Sequence, residues 1–318
     1  MAVATVHAVG MVGQVPRPTN SVLTNFPDAT LDSARVEFEK WHALGNDYLI
    51  VEQHALPFEL SPARIRALCA AHTGVFADGI LLISPPDQPG HLARLSIFNP
   101  DGSEAELSGN GAREAILYLR RHGGLEAGTI SIQTAAGELR ATVTADSECT
   151  VDMGRVRLRS AGYPSGGPDG VGELEAAGRW WRFQHVQVGN PQCVIGVGDE
   201  QELADLALGR IGPQIEHHEL FPHRTNVSWF TALGAGRIRA RIFERGVGET
   251  SASGTGAIGA AVAHVLRGGD SPVTIVLDGG ELEAEVGEDL HVNLSGWAVP
   301  VFAGTLAADF VKELHEIE

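Results

Sequence analysis

Short apolar runs, several of them alternating with polar side chains, occupy much of the chain beyond residue 35 and predict a β-rich protein. Val36–Trp41 alternates like a half-buried strand. Other apolar runs bounded by turn residues predict further strands. These runs are Tyr48–Val51, Gly79–Ile83, Leu95–Phe98, Thr129–Thr134, Leu139–Thr144, Cys149–Met153, Arg182–Val188 and Cys193–Val197.

Three segments carry helix signals instead. Pro62–His72 follows Ser61, a residue type that favours the N-cap. Ala112–Arg121 ends in two arginines, which favour the C-terminus of a helix. Ala307–Glu318 is a short amphipathic segment, which predicts a terminal helix. By contrast, Ser160–Gly178 is polar and glycine-rich, which predicts a connector.

Composition and charge limit the classes of function. The 318 residues are 43% hydrophobic, enough to bury real cores, which excludes wholesale disorder. Against 23 basic residues stand 40 acidic ones, and the net charge of −17 argues against nucleic acid or an anionic membrane as partner. No apolar run reaches the roughly 18 residues that a membrane span needs.

The cysteines and the N-terminus bear on the compartment. Three cysteines without a framework spacing fit a reducing compartment and predict a cytoplasmic protein. Residues 1–35 lack a charged segment followed by a continuous apolar one, so a secretory signal is not expected. We predict a flexible N-terminal extension there, with a short added strand as the alternative.

An internal repeat suggests a duplicated fold. Ile97–Ala112 aligns without a gap on Ile242–Ala257, an offset of 145 residues, and an apolar helix follows each copy. A second pair, Gly45-Asn46 and Gly189-Asn190, lies at an offset of 144 residues. Two pairs at nearly one offset predict two similar lobes facing each other. The alternative is that glycine-rich turns resemble one another by composition.

Each copy of the repeat contains Ser-Gly-X-Gly-Ala between a strand and a helix, beginning at Ser108 and at Ser253. A helix N-terminus presents unpaired N–H groups and partial positive charge, so it can bind a carboxylate. Two such ends facing one cleft would grip one carboxylate and place a serine on each side of the adjacent carbon. That arrangement suits removal of a proton from one face of an α-carbon and its return to the other. For either serine alone, an ordinary N-cap is the alternative.

Seven motifs between Phe38 and Gly304 resemble those of the diaminopimelate epimerase family. They are Lys40–Asp47, Ala77–Gly79, Phe98–Ser103, Gly109–Arg113, Gly189–Pro191, Arg224–Asn226 and Glu244–Thr250. The resemblance implies an α+β fold of two similar lobes related by a pseudo-twofold axis, each a β-sheet wrapped around a central helix. We expect the first lobe over residues 36–150 with 301–318, and the second over 151–300.

The resemblance also implies an activity. It is that of an isomerase without cofactor or metal, which interconverts LL- and meso-diaminopimelate in the synthesis of lysine and peptidoglycan precursors by two-base proton transfer. The expected partner is a small amino-acid substrate, not nucleic acid or a membrane. Whether the chain forms a homodimer is left open.

The binding residues follow from the resemblance by motif match. In the family, asparagines and a Glu–Arg pair hold the distal amino and carboxylate groups of the substrate. An arginine can bind a carboxylate through two hydrogen bonds, and a glutamate can take an ammonium. The matching residues are Asn46, Asn99, Asn190, Asn226, Glu244 and Arg245. The reacting carboxylate would lie on the turns Gly109-Asn110 and Gly254-Thr255.

The chain departs from the family where the chemistry occurs. The family uses two cysteines as thiolate base and thiol acid, and Ser108 and Ser253 stand at those positions, while Gln192 replaces a usual histidine. A hydroxyl pKa lies about 5 units above that of a thiol, which is roughly 7 kcal/mol or about 10⁵ in rate without compensation. His42 or Glu244 could compensate as spatial neighbours.

Three hypotheses therefore remain open. The chain is a diaminopimelate epimerase that uses serines, a related isomerase or lyase acting on another carboxylate, or a non-catalytic homologue that keeps the pocket.

Two further sequence features do not indicate a function. His217, His218 and His223 predict a surface loop and not a metal site, and the glycines after Arg245 fit neither nucleotide-binding spacing.

Overall fold

The computed structural model describes residues 35–123 and 128–317, so the predicted extension over residues 1–35 lies almost wholly outside the described residues. Nine strands form the first lobe: β1 (Glu37–Ala43), β2 (Asn46–Glu52), β3 (Ile80–Ser84), β4 (Arg94–Phe98), β5 (Glu104–Ala105), β6 (Thr129–Thr134), β7 (Gly137–Ala145), β8 (Glu148–Arg155) and β18 (Val299–Thr305). Nine form the second: β9 (Val171–Ala176), β10 (Arg179–Val188), β11 (Asn190–Gly196), β12 (Asn226–Gly234), β13 (Arg237–Glu244), β14 (Gly248–Thr250), β15 (Val273–Leu277), β16 (Gly280–Val286) and β17 (His291–Trp297). The helices are α1 (Pro62–Cys69), α2 (Gly109–Gly123), α3 (Glu200–Asp205), α4 (Leu208–Glu216), α5 (Gly254–Leu266) and α6 (Ala308–Glu316).

The two lobes pair their strands in the same order, which confirms the predicted α+β fold of two similar lobes. In the first lobe the order is β18-β1-β2-β3-β4-β6-β7-β8. In the second it is β9-β10-β11-β12-β13-β15-β16-β17. Along both rows the pairings run antiparallel, antiparallel, parallel, antiparallel, parallel, antiparallel, antiparallel. The short strands β5 and β14 pair with β4 and β13, which hold equivalent positions.

Each sheet wraps around one helix. In the first lobe α2 packs against β1, β2, β3, β7 and β8, and in the second α5 packs against β10–β13 and β15–β17. All residues of Gly109–Tyr118 and of Gly254–Ala263 are buried. A helix enclosed by a sheet has no solvent face over its first turns, so even polar residues such as Arg113 and Glu114 are buried there.

The lobes join through their last strands. β8 pairs antiparallel with β17, and β18 returns to the first lobe and pairs with β1. The predicted boundary after residue 150 lies inside β8, so the lobe limits stay a prediction. No helix in the described part of the chain is long and apolar enough to cross a membrane.

Three local predictions are wrong in part. The connector predicted over Ser160–Gly178 contains β9, which pairs with β10 as a hairpin. Gly172, one of the glycines in this stretch, serves packing, since a Cβ there would lie 2.4 Å from the Tyr163 hydroxyl oxygen. The first helix ends at Cys69 and not at residue 72, because Ala70 is already extended. The second begins earlier than predicted, at Gly109.

Candidate active site

The first turns of α2 and α5 meet at the centre of the molecule. A Cβ built on Gly109 would lie 3.2 Å from the Gly254 Cα, and one built on Gly254 would lie 3.1 Å from the Gly109 Cα. Only glycine allows two helix starts to approach so closely. The unpaired N–H groups and partial positive charges of both helices therefore serve one site.

Ser108 precedes α2 and is half-buried. Its Oγ accepts a hydrogen bond from the Gly111 N–H at 3.1 Å, as an N-cap does. It accepts a second from the Tyr48 hydroxyl at 3.3 Å. Burial raises the pKa of Tyr48 above its usual range, and the hydrogen bond with Ser108 acts in the opposite direction. The first serine therefore lies beside a protonated phenol.

Ser253 holds the equivalent position before α5 but has a different neighbour. It is 3% exposed, and its Oγ accepts a hydrogen bond from the Gly256 N–H at 3.3 Å. Glu244 lies next to it: burial raises the pKa of that carboxyl, while a hydrogen bond from Ser253 lowers it. The second serine is thus paired with a carboxyl group that holds a proton more tightly than an exposed glutamate.

Both serines open into one cavity of about 790 Å³. Every residue predicted for the site lines it: Asn46, Asn99, Ser108, Gly109, Asn110, Asn190, Asn226, Glu244, Arg245, Ser253, Gly254 and Thr255. Of the two neighbours considered for activation, Glu244 lines the cavity. His42 does not; its ring packs edge-on against Trp297 with centroids 5.2 Å apart. The structure brings the predicted residues together, and their individual roles stay a prediction.

In the first lobe the site asparagines are held by a chain of hydrogen bonds. Asn46 follows a two-residue turn in which Gly45 has a φ of 87°. Its Nδ2 donates to Asp78 at 2.9 Å, and its Oδ1 accepts from Asn110 Nδ2 at 3.2 Å. The Oδ1 of Asn110 in turn accepts from the buried Arg113 at 2.6 Å. The amides are therefore oriented before a ligand arrives.

In the second lobe Gln192 has a comparable function. This fully buried residue donates from Nε2 to Asn190 Oδ1 at 2.7 Å and to Thr255 Oγ1 at 3.2 Å. Asn226 accepts from the Arg245 backbone N–H at 2.7 Å. Gln192 thus orients two polar groups of the cavity, although it cannot act as a base.

Sequence reasoning missed two contributors to the site. Tyr48 belongs to an apolar strand run, and nothing in that run showed that its hydroxyl meets Ser108. Glu216 lies in the polar segment read as a surface loop, but it is 4% exposed and its Oε1 accepts from the Gly246 N–H at 3.0 Å. That bond and one from Arg245 Nη1 to the His223 carbonyl, at 2.9 Å, hold the turn after Glu244.

The remaining candidates lie outside the cavity lining. Cys69, Cys149 and Cys193 are buried free thiols. Burial raises the pKa of Cys69 and of Cys149 to about 12 and that of Cys193 well above its usual range, so none is a ready thiolate. Over residues 35–123 and 128–317, no group of three or more His, Cys, Asp or Glu residues has the geometry to hold a metal ion.

Comparison with solved structures defines the class of fold. A probable proline racemase from Agrobacterium radiobacter K84 superposes with a TM-score of 0.64 at 16% identity, covering 86% of this chain and 93% of that one. A predicted epimerase from Pseudomonas aeruginosa superposes with a TM-score of 0.60 at 18% identity, covering 85% and 99%. The chain therefore has the two-lobed fold found in racemases and epimerases.

Sequence comparison defines the family. The sequence model described as diaminopimelate epimerase matches residues 38–159 and 184–299. The diaminopimelate epimerase of Synechococcus sp. (strain JA-3-3Ab) is 40% identical over 284 residues, covering 86% of this chain and 99% of that protein. That of Magnetococcus marinus is 40% identical over 275 residues, covering 85% and 96%. The chain belongs to the diaminopimelate epimerase family and is an isomerase.

Proposed function

We propose that this isomerase interconverts LL- and meso-diaminopimelate by two-base proton transfer between Ser253 and Ser108. One observation carries the proposal: the two serines begin helices whose first turns touch, and both line the same cavity. The relatives named diaminopimelate epimerase, at about 40% identity over nearly their whole length, support the choice of substrate.

Binding would use the two ends of the cavity differently. The reacting carboxylate would accept N–H hydrogen bonds at the starts of α2 and α5, where both helix dipoles favour negative charge. The distal amino and carboxylate groups would meet the asparagines, Glu244 and Arg245. The same N–H groups would stabilise the charge that moves into the carboxylate when the α-proton leaves.

Proton transfer would run across the cavity. As the α C–H bond breaks, Ser253 Oγ takes that proton and passes its own proton to Glu244, whose raised pKa makes it a suitable acceptor. The electron pair remains on the α-carbon and its carboxylate. Ser108 then gives its hydroxyl proton to the opposite face, and a new C–H bond of inverted configuration forms.

A specific observation favours each of two alternative functions. Both cysteine positions and the histidine position differ from the family pattern, which favours a related isomerase or lyase acting on another carboxylate. The same replacements, with an intact cavity, favour a non-catalytic homologue that binds diaminopimelate. In both cases the cavity has a ligand, and only the fate of the α-proton differs.

The experiment is incubation of the purified protein with LL-diaminopimelate in D₂O. The proposal expects meso product and deuterium at the α-carbon. NMR and mass spectrometry measure both. The double variant Ser108→Ala with Ser253→Ala is the control and should give neither. Calorimetric binding without exchange at high protein concentration would establish the non-catalytic alternative. Exchange with another member of a panel of amino and hydroxy acids would establish the related isomerase.

We further propose that the protein acts in the cytoplasm, in lysine and peptidoglycan precursor synthesis, and forms a homodimer. The family supports the pathway, and three free cysteines support the compartment. For the dimer, β18 pairs with β1 alone among the described strands and exposes Val301 and Phe302, which gives a second copy an apolar strand edge. Sedimentation equilibrium tests this assembly.

A further inference from the structure

The two serines differ in which of their hydrogen-bond positions are filled. A serine hydroxyl has one proton to donate and two lone pairs to accept. At Ser108 two donors already approach the oxygen, the Gly111 N–H at 3.1 Å and the Tyr48 hydroxyl at 3.3 Å. Because both acceptor positions are occupied, Ser108 can interact with a ligand only by donating its proton.

Tyr48 is held so that it donates to Ser108. Within residues 35–123 and 128–317, Ser108 is the only hydrogen-bond partner of the Tyr48 hydroxyl. Burial raises the pKa of this phenol, so it keeps its proton near neutral pH. The ring position is fixed by Gly79, since a Cβ there would lie 2.7 Å from Tyr48 Cε1.

Ser253 has the opposite arrangement. Among residues 35–123 and 128–317, its oxygen has one recorded donor, the Gly256 N–H at 3.3 Å, and Glu244 lines the same cavity. One lone pair therefore remains for the cavity. Ser253 is prepared to accept a proton from a ligand, whereas Ser108 is prepared to give one.

We propose that Tyr48 is a positioning residue that makes Ser108 the proton donor of the pair, by donating to Ser108 Oγ and turning the serine proton towards the cavity. This inference rests on the proposed function and adds a direction to it. When the Ser108 O–H bond breaks and the new C–H bond forms, the oxygen left behind carries the negative charge. It then accepts two hydrogen bonds, from Gly111 and Tyr48, while Ser253 holds the proton removed from the other face and Glu244 holds the proton that Ser253 gave up.

Deuterium exchange with Tyr48→Phe tests this direction. Without the phenol, the step at Ser108 slows while Ser253 still removes its proton. One epimer should therefore exchange its α-proton with retained configuration, and the ratio of this exchange to epimerisation should rise about tenfold for that epimer alone. KM should stay the same. Tyr118→Phe is the matched control, because it also removes a buried phenol, one bonded to Glu52 at 2.9 Å, outside the cavity lining. An unchanged exchange ratio for both epimers would overturn the inference.

A second measurement does not depend on turnover of diaminopimelate. Ser108→Cys introduces a thiol at the donor position, and its pKa can be read from thiolate absorbance against pH. A donor at the sulfur stabilises the thiolate, so adding Tyr48→Phe should raise this pKa by about one unit. The thiol introduced by Ser253→Cys should not respond to Tyr48→Phe. Equal pKa values with and without the phenol would refute the role of Tyr48. Absence of any α-proton exchange in the unchanged protein would instead refute the proposed function.

Discussion

The two lobes share a backbone and differ in the side chains that surround their serines. Both rows of strands pair in the same order, and both place Ser-Gly-X-Gly-Ala at the start of the enclosed helix. Yet Ser108 is half-buried beside a phenol, while Ser253 is buried beside a carboxyl group. The repeated backbone brings two equivalent helix starts to one cavity, and the two serines there have different neighbours. A duplicated fold can therefore keep a symmetric backbone and still surround its two serines with different groups.

The largest expected effect comes from restoring thiols at both positions. Ser108→Cys with Ser253→Cys should raise the exchange rate by up to about 10⁵, because a thiol ionises about 5 units more readily than a hydroxyl. The gain shrinks to the extent that Tyr48 and Glu244 already activate the hydroxyls. The single variants sharpen the comparison: we expect the smaller gain at position 253, where the carboxyl group lies. No gain in the double variant, by α-deuterium incorporation, would contradict this expectation.

Removing either serine hydroxyl should change the rate by a smaller factor than restoring both thiols. Ser108→Ala and Ser253→Ala should each lower epimerisation by roughly 10²–10⁴, the usual contribution of a general acid or base, with substrate affinity retained. Both serines also cap helices, so the loss of a cap needs its own control. Ser61→Ala removes the cap that Ser61 gives to α1, bonded to the Arg64 N–H at 3.3 Å, outside the cavity lining. If Ser61→Ala lowered turnover as much, capping would explain the loss.

The contact between the helix starts can be broken directly. Gly254→Ala adds a Cβ that would lie 3.1 Å from the Gly109 Cα of the opposite lobe. We expect a loss of roughly 1–3 kcal/mol in the free energy of unfolding, as for other overpacked positions. Gly209→Ala, in α4 with no atom near its Cβ, should be neutral or slightly stabilising. Denaturant titration measures both, and equal stabilities would disprove a tight contact.

The smallest expected effect is a pH dependence of the rate, and it tests the role of the carboxyl group near Ser253. Glu244 must be ionised to take the serine proton, and burial raises its pKa. The rate at saturating substrate should therefore fall about tenfold per pH unit as pH drops through that raised pKa, above the 4.5 of an ordinary glutamate. Glu244→Gln should lower the rate and flatten this acidic limb. An acidic limb that persists in Glu244→Gln would assign the titration to another group.

Much of the candidate site was predictable because it is repeated. Ser108 and Ser253 could be paired by an offset of 145 residues, and the turns that contain them present backbone N–H groups, which any sequence with those glycines supplies. Where backbone conformation is decided by local residues, as in the turn at Gly45, sequence and structure agree. The strand β9 inside Ser160–Gly178 was missed because Gly172 serves packing against Tyr163, a contact that no local pattern reveals.

The sequence by itself determined the duplicated lobes, the family, and the two serines that precede the enclosed helices. Only the tertiary structure decided that Tyr48 meets Ser108 and that Glu244 meets Ser253. The physical reason is that a hydroxyl is tuned by the groups around it in space. The phenol beside Ser108 belongs to β2, 60 positions earlier in the chain. The carboxyl group of Glu244 lies at the end of β13.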